Sequence, residues 1–154
     1  HPSIKQTAEL YIYGTALQDS VNDLEKVKLT IQWLHNFYSQ NFIDKNINYK
    51  INFTKNSTIV WSPQVYFNII IVLNEAIYNA AMHSSSPFIF SICLLEENKH
   101  EFITHDNGIG FSEKEITGTG GIARMKKLAN KLDATLKISS IAGMGTKITL
   151  RLPH

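Results

Sequence analysis

Asn74-Glu75-Ala76-Ile77-Tyr78-Asn79-Ala80-Ala81-Met82-His83-Ser84 sets an acid and an amide four residues apart inside an otherwise apolar stretch. Residues four apart on a helix are neighbours on one face, so Glu75 and Asn79 can serve a single group. The helix is legible around them. Val65, Ile69, Val72, Leu73, Ala76 and Ala80 recur at helical spacing, and Pro63 suits a first turn, where its missing N–H costs nothing. An isolated Glu-x-x-x-Asn is most often two surface residues. The apolar face under this pair marks instead a well-buried element that holds both side chains in place. An amide oxygen is a hard ligand suited to magnesium, and a carboxylate beside it can orient a metal-bound water or accept a proton. Asn79 is therefore the candidate metal ligand and Glu75 the candidate acid–base residue.

Two further motifs follow in order. His105-Asp106-Asn107-Gly108-Ile109-Gly110-Phe111 comes directly after the strand-like run Glu101-Phe102-Ile103-Thr104, and its glycines permit the turn that ends the strand. A carboxylate at that strand end accepts a hydrogen bond from the exocyclic amino group of adenine and rejects the carbonyl that guanine carries there. Asp-Asn-Gly alone is more often a hairpin turn. Gly110 and Phe111 beyond it argue against a simple two-residue hairpin. Gly118-Thr119-Gly120-Gly121-Ile122 then opens a helix carried by Ile122, Met125, Leu128, Ala129 and Leu132, with Arg124, Lys126, Lys127 and Lys131 off the apolar stripe. Free N–H groups at a glycine-rich helix start bind phosphate. The same segment mimics a dinucleotide fingerprint, but a polar loop precedes it where that fingerprint needs a strand, and no P-loop pattern occurs.

The three blocks resemble the N, G1 and G2 boxes of the GHKL ATPases, and specifically the catalytic domain of a bacterial sensor histidine kinase. Leu136 to Ser140 and Gly143 to Pro153, with a GxGT turn between them, are similar to the closing strands of such kinases. The resemblance covers roughly residues 23 to 153 and implies a two-layer α/β sandwich of the Bergerat type, a mixed β-sheet with helices on one face. It implies ATP and Mg2+ as ligands. Glu75 is then the N-box acid and Asn79 carries the magnesium. Asp106 reads adenine, Gly108 and Gly110 shape the base pocket, Gly118, Gly120 and Gly121 line the phosphates, and His83 and Thr146 complete the ATP site. It further implies a separate dimerisation and phosphoacceptor domain, a response regulator as partner, a homodimeric parent and a cytoplasmic location. Three departures stand out, one being a G2 box that reads GTGGI where GxGL or GxGxGL is usual. Met82 precedes His83 where the family commonly has Lys or Arg, which leaves phosphate charge to His83, Arg124 or Lys126. The lid between Phe111 and Gly118 is short.

Around the motifs, the pattern predicts helix to about Phe42, a strand near Ile47 to Phe53, a short strand at Thr58 to Trp61, and the N-box helix from Pro63 to about His83. Strands near Pro87 to Leu95 and Lys99 to Asp106 come next, then the glycine-started helix and two closing strands. At the N-terminus, Leu10, Leu17, Leu24, Ile31 and Tyr38, interleaved with Tyr13, Val27 and Leu34, form a heptad seam. Gly14 and the cap-like Asn22-Asp23-Leu24-Glu25 favour a break between them. Residues 1–22 then read as the tail of an upstream dimerisation helix or linker, and 23–154 as the ATP-binding domain. One continuous core-packing helix is the competing expectation.

At 154 residues and 44% hydrophobic composition the chain can bury one sizeable core and not two large ones. A net charge of +2 makes no case for a nucleic-acid or membrane partner. Cys93 is alone, which rules out a disulfide framework, and it reads as a small buried side chain. No transmembrane run or signal peptide stands out. No histidine has the surroundings of a phosphoacceptor: His35 reads as a helix-surface or core-edge residue, and His100 and His105 as strand or turn residues. Three functions follow. One is transfer to a histidine on a domain outside the fragment, one is a serine kinase of the anti-sigma-factor type, and one is a degenerate nucleotide-binding scaffold.

Overall fold

A computed structural model of the chain describes residues 2–55, 58–83, 87–110 and 120–153. Five strands, β1 (Asn48–Lys55), β2 (Phe88–Glu96), β3 (Lys99–Asp106), β4 (Thr135–Ile141) and β5 (Gly145–Arg151), form one mixed sheet in the order β1-β2-β3-β5-β4. β1 and β2 run parallel and every other pair is antiparallel. A parallel pair needs a crossover, and α3 (Pro63–Met82) supplies it. α1 (Pro2–Ala16), α2 (Asp23–Asn41) and α4 (Gly120–Lys131) complete the helical layer.

β2 alternates strictly, burying Ile89, Ser91, Cys93 and Leu95 and turning the residues between them outward. That period of two is what a sheet covered on one face requires. Against the covered face lies α3, with Ile69, Ile70, Ile71, Val72, Ala76 and Ile77 almost wholly buried. Each branched side chain so buried is worth about 1.5–3 kcal/mol relative to exposure. By length and composition α3 could cross a membrane, contrary to the sequence expectation, yet 72% of its apolar window is buried inside the fold. It is the core helix. Ser62 caps it, its hydroxyl accepting from the Val65 N–H at 3.2 Å, and Pro63 takes the first turn.

The N-terminal helix does break. α1 ends at Ala16, and Asn22 caps α2 by accepting from the Leu24 N–H. The heptad seam divides at the break: Leu24, Val27, Ile31, Leu34 and Tyr38 are buried, whereas Leu10, Tyr13 and Leu17 are exposed. α1 instead seats Ala8, Ile12 and Ala16 in the core beside α3.

No strand forms at 58–61. Asp23 takes that segment, its N–H donating to the Ile59 carbonyl at 2.6 Å and its Oδ2 accepting from the Trp61 N–H at 2.7 Å. A buried helix-start carboxylate outcompetes sheet pairing for these backbone groups. His35, expected near the surface, is fully buried, with Nε2 2.8 Å from Ser91 Oγ and its ring stacked on Tyr49. Burial lowers its pKa to about 4, so it is neutral. Cys93 is buried as expected, and burial pushes its thiol up to about 12.

Candidate nucleotide site

α3 carries Glu75 and Asn79 to the start of α4. Glu75 has no exposed surface and Asn79 is half-buried. Gly121 lies against both: a Cβ built on it would stand 2.5 Å from Glu75 Oε2 and 3.4 Å from Asn79 Nδ2. A side chain at this position would have to displace the end of the Glu75 side chain. Gly120 opens α4 with φ +84°, a left-handed conformation that suits glycine, and the space around it is open. Gly118 and the short lid fall at 111–119, outside the described residues.

Glu75 is paired twice through one oxygen. Its Oε1 is 2.7 Å from Lys5 Nζ on α1 and 3.3 Å from Arg124 Nη1 on α4. Arg124 also pairs with Glu9, one turn beyond Lys5 on α1. Oε2 is buried without a hydrogen-bond partner. A buried oxygen of that kind is costly unless something else meets it, and here it faces the glycine-rich helix start. Lys5 and Glu9 were not legible as site residues. Their i,i+4 spacing announces a helix pair and gives no sign of a partner on α3.

A second group forms at the end of β3. Asp106 is half-buried, opposite Thr146 in the β3–β5 register, and its Oδ1 accepts from the Gly108 N–H at 2.8 Å. Burial raises its pKa. Backbone hydrogen bonds from Gly108 and Thr146 and the charges of His105 and His83 pull it back down. His83, at the C-cap of α3, is exposed and reaches the site electrostatically through Asp106. Gly110 has φ +65° and packs against the Ile141 carbonyl, and Gly145 has φ +100° and packs against the Asp106 carbonyl; neither place admits a Cβ. These two glycines dock the motif loop onto the β4–β5 turn. Thr146 is buried, its Oγ1 2.9 Å from Ser140 Oγ.

Among the described residues no cluster of three or more His, Cys, Asp or Glu forms a metal cage. The side chain that meets magnesium chemistry is the Asn79 amide, one helical turn from Glu75 on α3. A lone amide donor suits a metal that takes most of its ligands from substrate phosphate and water.

The family model for histidine kinase-, DNA gyrase B- and HSP90-like ATPases matches residues 66–154. The chain is 30% identical over 95 residues to the nitrate/nitrite sensor protein NarQ of Escherichia coli (strain K12), which covers 60% of the chain and 17% of that protein. It is 30% identical over 96 residues to the signal transduction histidine-protein kinase/phosphatase DegS of Bacillus subtilis (strain 168), covering 60% of the chain and 25% of DegS. These alignments thus span a quarter or less of either relative. Among solved structures, the histidine kinase domain of the Erythrobacter litoralis EL346 blue-light activated histidine kinase superposes with a TM-score of 0.70. The identity is 19%, with 98% of this chain and 78% of that one covered. At that identity the likeness shows the two-layer fold.

Proposed function

The chain belongs to the histidine kinase-, DNA gyrase B- and HSP90-like ATPases, and on that premise we propose that it is the catalytic part of a sensor histidine kinase. It binds ATP and passes the γ-phosphate to a histidine on a dimerisation domain beyond these residues. The names of NarQ and DegS support a sensory kinase rather than a gyrase-like or chaperone-like ATPase. The observation that carries the reading is the meeting of Glu75 and Asn79 with Gly121 at the start of α4.

In this reading the Asp106 carboxylate accepts from the adenine amino group, and Gly108 and Gly110 shape the base pocket. Gly118, Gly120 and Gly121 take the phosphates on backbone N–H groups, and His83 and Thr146 border the nucleotide. Asn79, together with the phosphates, would hold magnesium, which would supply charge neutralisation for the transferring group. Glu75 accepts the proton or orients the attacking group. Phosphoryl transfer depends mostly on such positioning and charge stabilisation.

Residues 1–22 belong in this reading to the tail of an upstream dimerisation helix, docked onto the ATP domain of residues 23–154. The parent is a cytoplasmic or cytoplasm-facing homodimer that hands its phosphate to a response regulator. Incubation with labelled ATP and the acceptor domain from the same gene tests this. Acid-labile, base-stable phosphate on that domain is the expected product, and its absence despite tight ATP binding overturns the kinase assignment.

A further inference from the structure

Three helices converge on one oxygen. Glu75 Oε1 on α3 receives Lys5 from α1 and Arg124 from α4, and Glu9 on α1 closes the set by pairing with Arg124. Charge alternates around the set, cation next to anion. Lys5 Nζ also lies 5.2 Å from the centre of the Tyr78 ring, which flanks its approach to Glu75. Anchoring of α1 does not depend on this lysine, because Ala8, Ile12 and Ala16 already seat the helix in the core. The Lys5 side chain is instead a quarter exposed, at 26%, and reaches inward to an acid with no exposure at all.

We propose that Lys5, with Arg124 beside it, is a positioning residue for Glu75: the two cations hold Oε1 so that Oε2 stays partnerless and faces the glycine-rich start of α4. α1 is then a working part of the ATP site, although it comes from the segment that reads as an upstream tail. The inference rests on the kinase reading above for its effect on rate, and on geometry alone for the ion pair.

The physical reason is the cost of a buried charge. A carboxylate taken out of water is tolerated when paired, and removing one partner leaves its charge uncompensated and frees the side chain to turn away. Such a turn spoils a group whose free oxygen must meet the attacking group. Arg124 alone is a poorer counter-ion, because its Nη1 is shared with Glu9 and sits farther away at 3.3 Å.

The test compares wild type with Lys5→Met, which keeps the apolar stem, and Lys5→Arg, which keeps the charge. Transfer from magnesium-ATP to the acceptor domain from the same gene is measured beside binding of a fluorescent ATP analogue. The Glu75 side-chain carboxyl resonance is followed by carbon-13 NMR without nucleotide, assigned with Glu75→Gln. Lys5→Met is expected to lower kcat by roughly tenfold or more while KM and analogue binding change by less than about twofold, the signature of a group that acts on the transition state. Its Glu75 resonance should move, and Lys5→Arg should restore both rate and resonance. An unchanged resonance and rate in Lys5→Met overturns the proposal, as does a loss of binding that parallels the loss of rate. If wild type itself transfers nothing, the kinase reading fails, and the resonance still decides whether Lys5 holds Glu75.

Discussion

Glu75 Oε2 occupies the space that a methyl group on Gly121 would need, 2.5 Å from a Cβ built there. The acid cannot simply swing aside, because Lys5 and Arg124 hold its other oxygen. Gly121→Ala therefore forces either α4 away from α3 or Glu75 out of place. Overpacking of this kind costs about 1–3 kcal/mol. Thermal unfolding should show a modest loss of stability, while phosphate transfer falls far more steeply. Equal transfer by Gly121→Ala and wild type would mean that this contact has no part in the site.

Magnesium dependence should rest on Asn79. It is half-buried on the face that carries Glu75, and its amide is the neutral hard donor of the pair. Asn79→Ala removes the ligand without opening the core, because the buried face of α3 is built from its isoleucines and alanines. ATP titrations with and without magnesium should differ for wild type and nearly coincide for the variant. Identical magnesium responses in the two proteins would remove Asn79 as the ligand.

Adenine selectivity should rest on Asp106. Hydrogen bonds to charged groups are worth on the order of 1.5 to 3 kcal/mol, and guanine would set an acceptor against the carboxylate, so ATP should outcompete GTP by roughly tenfold or more. Asp106→Asn should lose much of that margin. Burial raises the Asp106 pKa, so ATP affinity should begin to fall at a higher pH than an exposed aspartate would give. Competition by GTP equal to that by ATP in the wild type would contradict the assignment.

What was legible in advance was what short-range chemistry dictates. Ser62 and Pro63 announce the start of α3, alternation announces β2, and the β3 run ends at Asp106 where the glycines begin. Asp106 and Asn79 stand out because their neighbours in sequence are also their neighbours in the site. Where partners are distant in sequence, the same reasoning has no purchase. The 58–61 segment reads as a strand because its alternation is real, but Asp23 claims its backbone. Leu10, Tyr13 and Leu17 continue a heptad, yet α1 turns them outward and buries Ala8, Ile12 and Ala16. The pairing of Lys5 with Glu75 is of the same kind: nothing local to either residue points to the other.

His35 makes stability depend on pH. Its pKa is about 4 in the fold against 6.5 for a free histidine, because burial disfavours the charged ring. Between those values the unfolded chain binds the proton and the folded one does not, so stability falls as pH drops through that window and levels off below it. At one pKa unit per 1.36 kcal/mol, going from pH 7 to pH 5 should cost about 2 kcal/mol from this residue. Urea unfolding at the two pH values measures it, with His35→Gln as the control that removes the titration. If wild type and His35→Gln lose the same stability on acidification, His35 is not the source.

Glu75 and Asn79 can organise phosphate and metal, but phosphoryl transfer needs an acceptor in line with the leaving oxygen, and that effective molarity is absent when the acceptor lies on another domain. His35 is sealed in the core and neutral, which removes it as an acceptor. Self-phosphorylation of this chain should therefore be negligible. Supplied with the histidine-bearing domain of its own gene, it should phosphorylate that domain slowly, and Glu75→Gln should cut the rate while leaving ATP affinity largely intact. Because Gln keeps the shape but not the charge, Lys5 and Arg124 lose their shared anion, so part of that loss should reappear in Lys5→Met. Acid-stable phosphate on a partner's serine would redirect the assignment to a serine kinase, and a Glu75→Gln rate equal to wild type would show that the acid takes no part in the chemistry.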